Sequence, residues 1–449
     1  MVKKSAKPTA LPPERAYLVG VEFTRYNNLL VVEDSVAELA LLAETAGLEV
    51  VGQSTQKLDH PNPKTFIGPG KVEEIQVLGE EVQVDVVLFD EELSPRHIRE
   101  LEYLFGEHVR ILDRTALILD IFAQHAATRE GALQVELAQY EYRLPRLTRA
   151  WTHLARQAGG GGGRAGGVGG VGLRGPGETQ LEVDRREIRR RISHLKNELE
   201  KVRVHRQQYR SRRKRANIPV VALVGYTNAG KSTLLNRLTS ANVLVADQLF
   251  ATLDPTTRRI SLPGGFPALF TDTVGFIQKL PTTLVAAFRA TLEEIAEADL
   301  LLHVIDVTHP NAQAQALSVH KTLFEIEAGH IPVLTALNKI DLLTEPETAQ
   351  QAIIIYPDSV AISALKGHGI TELLQRLGHV LYENYMPISV WLPYREGGLI
   401  SLFNQQGLVD RLEHGQGGVT IQGSLPGRLV ARFTPFTTNS TNSYLAGVG

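Results

Sequence analysis

The chain has 449 residues, a formal net charge of −2 and no cysteine. Its length exceeds one ordinary domain core, so we expect several domains, and the lack of cysteine excludes disulfides and thiolate metal sites. The charged N-terminal segment is not typical of a secretory signal. No continuous stretch of the sequence is apolar over the length that a membrane helix requires. We therefore expect a cytoplasmic protein.

Residues 1–127 alternate short apolar strands with amphipathic helices, which predicts an N-terminal domain with a small parallel α/β sheet. The predicted strands are Ala16–Val21, Leu48–Val51, Val84–Phe89 and Val109–Leu112, and the predicted helices are Val36–Ala46, Val72–Gly79, Pro95–Phe105 and Ala116–Ala126. Gly68–Lys71 could bind a phosphate at a helix start. We favour a tight turn there, because the spacing matches no phosphate-binding loop.

Residues 128–216 carry two series of apolar residues at alternating spacings of four and three, which predict two coiled-coil helices. The first series is Leu133, Leu137, Tyr140, Leu144, Leu147, Trp151 and Leu154, and the second is Leu181, Ile188, Ile192, Leu195, Leu199 and Val202. Ala158–Gly177 between them is mostly glycine, so we expect an antiparallel helical hairpin with a glycine-rich tip. Pro145 should kink the first helix or mark a short break.

The second predicted helix of this hairpin is strongly basic. Asp184–Arg215 contains 14 Lys or Arg and 4 Asp or Glu, a local charge of +10. A solvated helix face would explain such a run, and a plain flexible linker would explain the tip. Arginine dominates, however, and its planar group suits phosphates and base edges; Arg164 and Arg174 also lie within the tip. We favour an RNA-binding surface.

A third predicted domain, residues 217–384, begins with a phosphate-binding loop. An apolar strand at residues 218–224 is followed directly by Gly225, Tyr226, Thr227, Asn228, Ala229, Gly230, Lys231, Ser232 and Thr233. The glycines let backbone N–H groups face phosphate oxygens, Lys231 adds a positive charge, and the Ser232 hydroxyl can bind Mg²⁺. The helix that starts at Lys231 adds the positive end of its dipole. This order of strand, loop and helix predicts a nucleotide site.

Three further motifs follow in the order typical of GTPases, each after a predicted strand. They are Asp272-Thr273-Val274-Gly275, Asn338-Lys339-Ile340-Asp341 and Ser363-Ala364-Leu365. Asp272 can hold a Mg²⁺-bound water, and the Gly275 N–H can reach the γ-phosphate. The Asp341 carboxylate can accept both N–H donors of guanine's Watson–Crick edge, and Asn338 suits guanine O6 and N7. We therefore expect GTP and GDP as ligands, with Mg²⁺ as the cofactor.

The segment between the first two motifs should complete the magnesium shell. It reads Phe250, Ala251, Thr252, Leu253, Asp254, Pro255, Thr256, Thr257 and Arg258. Among its threonines we favour Thr252 over Thr256 or Thr257 as the ligand. Our metal assignment is thus Ser232, Thr252 and Asp272, and our catalytic assignment is Lys231, Thr252 and Gly275.

Phe276 follows the DTVG motif, where GTPases of the Ras type place a glutamine that orients the attacking water. Phenylalanine has no donor or acceptor for that task. We therefore expect slow unaided hydrolysis, with the water positioned by another group or by a partner that reshapes the switch segments.

Residues 385–449 are β-rich and predict a small α+β domain. We expect strands at Ile388–Leu392, Gly418–Ile421 and Arg428–Phe433, a helix at Gly398–Gln406, and a disordered tail at Thr437–Gly449. The whole chain is thus a multidomain α/β protein with a small parallel N-terminal domain, a helical hairpin, a P-loop GTPase domain and this appendage.

Residues 16–385 resemble the HflX-type GTPase family. The resemblance is carried by Leu112–Thr115, Leu119–Ala123, Leu133–Gln139, Arg174–Glu182, Phe250–Thr256 and Phe276. The glycine run Gly159–Gly172 is longer than the compact stretch usual in that family. The resemblance implies a ribosome-associated GTPase whose GTP form binds the large subunit, with the hairpin tip towards the peptidyl-transferase region. It also implies that stalled or idle ribosomes are split, that the ribosome stimulates hydrolysis, and that the N-terminal domain has an ATP-dependent activity, which no residue pattern here supports.

The leading hypothesis is a GTP-hydrolysing switch that binds the large ribosomal subunit and its rRNA through the basic hairpin and splits or rescues stalled or idle ribosomes. We expect the GTP-bound form to be monomeric. One alternative is a large-subunit assembly GTPase, which needs the same switch and RNA surface. Another is a signalling GTPase whose hairpin binds a protein partner.

Overall fold

The computed structural model describes residues 12–25, 30–147, 180–215, 218–239, 249–250, 255–263, 265–279, 289–343, 353–356, 358–382 and 385–438. The predicted glycine-rich tip, with Arg164 and Arg174, and the switch residues 251–254 lie outside these ranges. Among the helices within them, none is both long enough and apolar enough to cross a membrane.

The N-terminal part contains a four-stranded parallel sheet in the order β2-β1-β3-β4. Its elements are β1 (Arg15–Phe23), α1 (Val32–Thr45), β2 (Glu49–Leu58), α2 (Pro69–Glu81), β3 (Val86–Phe89), α3 (Pro95–Phe105), β4 (Arg110–Asp113) and α4 (Arg114–His125). The predicted alternation of strands and helices is confirmed. Every residue of β3 is buried, as expected for a central strand of a parallel sheet with both faces covered.

The turn before α2 is held from within the domain. The Gly68 N–H donates to the Gln56 side chain at 2.9 Å, and Lys71 forms an ion pair with Glu74 at 2.8 Å. These contacts support the tight turn that we favoured at this position over a phosphate site.

Two long helices follow and pack against each other. They are α5 (Arg129–Arg146) and α6 (Gln180–Arg215). The Arg191 guanidinium donates to both carboxylate oxygens of Glu136, at 2.9 and 3.0 Å, and Arg129 pairs with Glu198 at 3.3 Å, so the helices run antiparallel. α5 ends one residue after Pro145. The coiled-coil hairpin stays a prediction, because the residues that would connect the two helices lie outside the described ranges.

The GTPase part contains a six-stranded sheet in the order β10-β9-β8-β5-β7-β6, in which β6 is antiparallel to β7. Its elements are β5 (Val220–Val224), α7 (Lys231–Thr239), β6 (Thr256–Ser261), β7 (Pro267–Asp272), α8 (Arg289–Ala296), β8 (Leu300–Asp306), α9 (Ala312–Glu325), β9 (Val333–Asn338), β10 (Ser359–Ala361) and α10 (Ile370–Tyr382). The predicted nucleotide motifs follow β5, β7, β9 and β10, whose carboxyl ends meet at one edge of the sheet.

The C-terminal residues form a three-stranded antiparallel sheet in the order β11-β13-β12 with two helices. The elements are β11 (Tyr385–Pro393), α11 (Gly397–Gln406), β12 (Leu408–Gly415), β13 (Gly418–Pro426) and α12 (Gly427–Phe433). The predicted strand Arg428–Phe433 is wrong, because these residues lie in α12. The predicted disordered tail also starts too early, since the Thr438 N–H donates to the Ser389 carbonyl at 2.9 Å.

One apolar cluster joins the N-terminal part to the GTPase part. It contains Leu39 and Phe122 from the N-terminal helices, Tyr142 from α5, and Phe250 and Phe276 from the GTPase part. The rings of Phe122 and Phe250 meet edge to face, with their centroids 4.7 Å apart. The two sheets therefore share a core, which places the N-terminal helices beside the segment that follows β7.

Candidate nucleotide-binding site

The phosphate-binding loop connects the buried strand β5 to the start of α7. Gly230 has a φ of +95°, a conformation that side chains other than glycine rarely adopt. A Cβ atom at Gly230 would also collide with the amide of Asn338. Glycine is therefore required here for two reasons, and the loop can turn sharply into the helix.

Lys231 lies at the base of this loop and is 6% exposed. Its Nζ donates to the carbonyl oxygens of Gly225 at 3.0 Å and Tyr226 at 2.8 Å. Burial lowers the pKa of Lys231 to about 8, while the nearby Asp272 carboxylate opposes that shift. A bound polyphosphate would supply the negative charge that this buried ammonium group needs.

Two of the three predicted metal ligands lie side by side. The Ser232 hydroxyl donates to the Asp272 carboxylate at 2.7 Å, where α7 begins and β7 ends. The neighbouring Thr273 hydroxyl donates to the Leu223 carbonyl at 2.6 Å and fixes this strand end. Hydroxyl and carboxylate oxygens are ligands that Mg²⁺ prefers, so the donor set fits this ion. Ser232 and Asp272 would hold Mg²⁺, which would neutralise phosphate charge when bound.

The third predicted ligand, Thr252, lies within residues 251–254, outside the described ranges. Its alternatives Thr256 and Thr257 both lie in β6, where the Thr257 hydroxyl is 2.9 Å from that of Thr271. Phe250 is 2% exposed, and its ring packs in the shared apolar cluster. The Phe250 side chain therefore faces the N-terminal part, so a nucleotide contact from this residue would have to come from its backbone.

Asn338 connects the base-binding motifs to the phosphate-binding loop. Its Nδ2 donates to the Ala229 carbonyl at 2.8 Å, and its Oδ1 accepts from the Ala364 N–H at 2.9 Å. We expected this amide to contact guanine O6 and N7. Each end of the amide thus binds the protein and keeps one further donor or acceptor, so the contact with guanine stays a prediction. Asn338 also positions three predicted nucleotide-binding segments relative to one another.

The remaining base-binding residues lie around this amide. Lys339 has a φ of +68° and pairs with Asp306 at 2.7 Å, and the half-buried Asp341 follows in a 3-10 turn. The Ser363 hydroxyl accepts from the Lys366 N–H at 2.9 Å, which closes the loop that carries Ala364 and the exposed Leu365. The structure thus brings Asp341 and the Ser363 loop to the same sheet edge as the phosphate-binding loop.

The other predicted contact residues keep positions compatible with a bound nucleotide. Asn228 is exposed at the outer bend of the loop with a φ of +60°, and Thr233 is half-buried in the first turn of α7. The Thr227 hydroxyl is buried and has no hydrogen-bond partner among the residues that the structure describes, which leaves a donor for a ligand at this loop. Val274 and Ile340 are half-buried within their motifs.

Two charged residues at this site carry no recognisable signal in the sequence. Glu38 of α1 contacts the Tyr226 hydroxyl of the phosphate-binding loop. Lys279, three residues after Phe276, contacts Asp90 and also binds Glu91 at 2.7 Å. These pairs join residues 188 or 189 positions apart, so no local spacing could have indicated them.

Comparisons with known proteins place this geometry in a family. Family models match residues 33–123 ("GTP-binding GTPase N-terminal"), residues 125–213 ("GTP-binding GTPase Middle Region") and residues 220–339 ("50S ribosome-binding GTPase"). GTPase HflX of Alkalihalophilus pseudofirmus is 47% identical over 396 residues, which cover 88% of this chain and 89% of that one. GTPase HflX of Escherichia coli is 46% identical over 415 residues, which cover 92% and 94%. The resemblance found in the sequence is confirmed: this GTP-hydrolysing chain belongs to the HflX GTPase family.

Proposed function

We propose that this ribosome-associated GTPase binds the large ribosomal subunit as a GTP-loaded monomer and splits or rescues stalled or idle ribosomes. The family model that matches residues 220–339 is described as a 50S ribosome-binding GTPase, which supports this class of partner. Ser232, Asp272 and Thr252 would hold Mg²⁺ at the phosphates, and Asp341 would read the guanine base.

The observation that carries the proposal is a contact between the basic helix α6 and the GTPase part. The Arg206 guanidinium lies 2.8 Å from Glu130 of α5 and 3.7 Å from Glu294 of α8. α8 is the next described helix after the DTVG motif and Phe276. Because GTPase switch segments reorder around the γ-phosphate, a change there can reach the basic helix through this contact.

The outward face of α6 has the chemistry of an RNA-binding surface. Arg189 and Arg190 are exposed and form no ion pair with any residue in the described ranges, whereas Arg191 is held by Glu136. Free guanidinium groups can bind phosphate oxygens in pairs of parallel hydrogen bonds. We infer that Arg189 and Arg190 contact ribosomal RNA and that the tip between α5 and α6 extends this contact.

Slow hydrolysis off the ribosome follows from the position of Phe276. Its side chain is 2% exposed and packs in the shared apolar cluster, so it cannot orient a water molecule. We propose that ribosome binding supplies or repositions the missing group.

Sedimentation of intact ribosomes tests the proposal. Purified protein is added with GTP, with a non-hydrolysable GTP analogue or with GDP, and free subunits are quantified on sucrose gradients. We expect both triphosphates, but not GDP, to increase free subunits and to leave the protein on the large subunit. The double variant Arg189→Glu/Arg190→Glu should lose this effect while keeping nucleotide affinity.

A matched control reverses the same charge elsewhere. Arg96 and Arg99 are also exposed on a helix and without ion pairs among the described residues. The variant Arg96→Glu/Arg99→Glu should split ribosomes like the unmodified protein. Nucleotide-dependent binding without any increase in free subunits would favour the assembly GTPase. Salt-insensitive binding to a protein partner, with no ribosome binding, would favour the signalling alternative.

A further inference from the structure

The segment after the DTVG motif is hydrogen-bonded to the phosphate-binding loop. The Phe276 N–H donates to the Gly225 carbonyl at 3.1 Å, and the Thr227 N–H donates to the Phe276 carbonyl at 2.8 Å. A Cβ atom added to Gly275 would lie 2.9 Å from Thr227 Cα and 3.2 Å from Lys231 Nζ. Gly275 and Phe276 therefore lie close against the side of the loop where its lysine would meet a terminal phosphate.

A terminal phosphate and this closed segment compete for the same groups. The Thr227 N–H is already used by Phe276, and Lys231 Nζ lies close to Gly275. Phosphate-binding loops hold their ligand with such amides and with this lysine. GTP therefore has to displace the segment, whereas GDP, which lacks the third phosphate, leaves it in place.

The Tyr226 hydroxyl stabilises the closed segment. It accepts a hydrogen bond from the Gln278 N–H at 2.8 Å and donates to the Glu38 carboxylate. Tyr226 is 5% exposed, and burial raises its pKa to about 12, so the hydroxyl keeps its proton at neutral pH. One side chain of the phosphate-binding loop thus connects the segment after DTVG to the N-terminal part.

Glu38 is itself held in place by a buried ionic network. Its carboxylate contacts the Arg114 guanidinium, whose other nitrogen lies 2.6 Å from Asp90. The Ser35 hydroxyl donates to the second Asp90 oxygen at 2.7 Å. The acceptor of the Tyr226 hydroxyl therefore cannot move without disturbing the N-terminal part.

We infer that the Tyr226 hydroxyl sets the preference of this GTPase between GTP and GDP, because it stabilises the closed position of Phe276–Lys279 that only the third phosphate has to displace. A ligand shifts a conformational equilibrium only by its different affinities for the two states. Removal of the hydroxyl weakens the closed state and so favours the triphosphate. This inference concerns the free protein and does not depend on the ribosomal role proposed above.

The test measures dissociation constants of fluorescent methylanthraniloyl-GDP and methylanthraniloyl-GMPPNP with the full chain in the absence of ribosomes. Tyr226→Phe removes the hydroxyl and keeps the ring. We expect GMPPNP to bind about tenfold more tightly, the effect of losing one hydrogen-bond bridge to a carboxylate, while the affinity for GDP stays within about twofold. A merely structural role would weaken both nucleotides together.

A second variant weakens the contacts at the other end of the Phe276–Lys279 segment. Lys279→Gln removes the ammonium that binds Glu91 and contacts Asp90, while Asp90 keeps Arg114 and Ser35. Because Lys279 is partly exposed, the protein should fold, and the ratio of the two dissociation constants should shift in the same direction.

Tyr17→Phe is the matched control. It removes a buried tyrosine hydroxyl that lies 2.7 Å from the Ser54 hydroxyl, within the N-terminal sheet, and it should leave both dissociation constants unchanged. The inference is overturned if Tyr226→Phe and Lys279→Gln leave the ratio of the constants within twofold of the unmodified protein. It is also overturned if they weaken GDP and GMPPNP equally.

Discussion

At the scale of single residues, the nucleotide site consists of a few side chains that act on one another. The Ser232 hydroxyl donates to the Asp272 carboxylate, whose negative charge also favours the protonated form of Lys231. Asn338 has a role that its motif does not indicate, because its amide also binds Ala229 and Ala364. A motif gives the residue type at a position, but the tertiary structure decides which partner satisfies its hydrogen bonds.

Asp341 should determine the choice of base. Asp341→Asn replaces an acceptor by an amide that matches the carbonyl of xanthine better than the amino group of guanine. We expect GDP affinity to fall at least about 100-fold and xanthosine diphosphate to become the preferred ligand, as expected when buried donors and acceptors are mismatched. Competition against labelled nucleotide measures the affinities for GDP and for xanthosine diphosphate. Asp358→Asn, an exposed position of the same part, is the control, and retained guanine preference in Asp341→Asn would contradict the assignment.

His303 should make the GTPase part sensitive to acid. Burial lowers the pKa of His303 to about 3, helped by His320, whose ring centroid is 5.2 Å away, and by Lys231. Between pH 6.5 and 3 the unfolded chain therefore binds more protons than the folded one, so stability falls as the pH drops. Below pH 6.5, the loss of unfolding free energy should approach about 1.4 kcal/mol per pH unit.

Denaturant titrations at several pH values measure this effect. The variant His303→Leu should show a smaller loss of unfolding free energy between neutral pH and pH 4.5. His330→Leu changes an exposed histidine and should retain the full acid sensitivity. An unchanged pH dependence in His303→Leu would show that other groups cause the acid lability.

At the scale of elements, alternation of strands and helices was easier to predict than isolated strands. Buried strands such as β3 and β5 are apolar throughout and stand out in the sequence. β12 was missed because nearly all of its residues are exposed at the edge of its sheet, which leaves no alternating pattern. Arg428–Phe433 is apolar enough to predict a strand, but Leu429, Val430 and Phe433 have helical spacing and pack on the sheet from α12.

The contact between α6 and α8 should transmit the nucleotide state. Arg206→Gln removes the charge that faces Glu130 and Glu294. We expect the affinity for large subunits to differ less between the GTP-loaded and GDP-loaded forms, by about threefold to tenfold relative to the unmodified protein. Co-pelleting with large ribosomal subunits measures the affinity of each nucleotide-loaded form.

Arg203→Gln is the appropriate comparison, since Arg203 pairs with Glu200 one turn earlier on the same helix. It changes the charge of α6 equally but leaves the contact with α8 intact. Equal behaviour of the two variants would mean that only the charge of α6 matters.

At the scale of the whole molecule, the sequence indicated the succession of parts but not how they are joined. Each part has its own local pattern, whereas Glu38, Arg114 and Tyr226 meet from distant positions. Contacts between residues so far apart in the chain produce no local sequence pattern. The parts of the fold that local chemistry controls were therefore predictable, and the interface between the two sheets was not.

Binding to ribosomal particles should be electrostatic if the basic helix contacts RNA. The logarithm of the affinity should fall linearly with the logarithm of salt concentration. Arg189→Ala/Arg190→Ala should reduce this slope by about one to two, since each arginine neutralises about one phosphate. Arg96→Ala/Arg99→Ala should keep the slope, and a flat salt dependence of the unmodified protein would argue against RNA contact.

The cluster formed by Leu39, Phe122 and Tyr142 with Phe250 and Phe276 also has a thermal consequence. Heat cannot separate the N-terminal sheet and its helices from the GTPase sheet without exposing this apolar surface to water, at roughly 25 cal/mol for each Å² exposed. In a scanning calorimeter both should melt in one transition. Guanine nucleotide should then slow hydrogen–deuterium exchange even in α1 and α4, far along the chain from any phosphate.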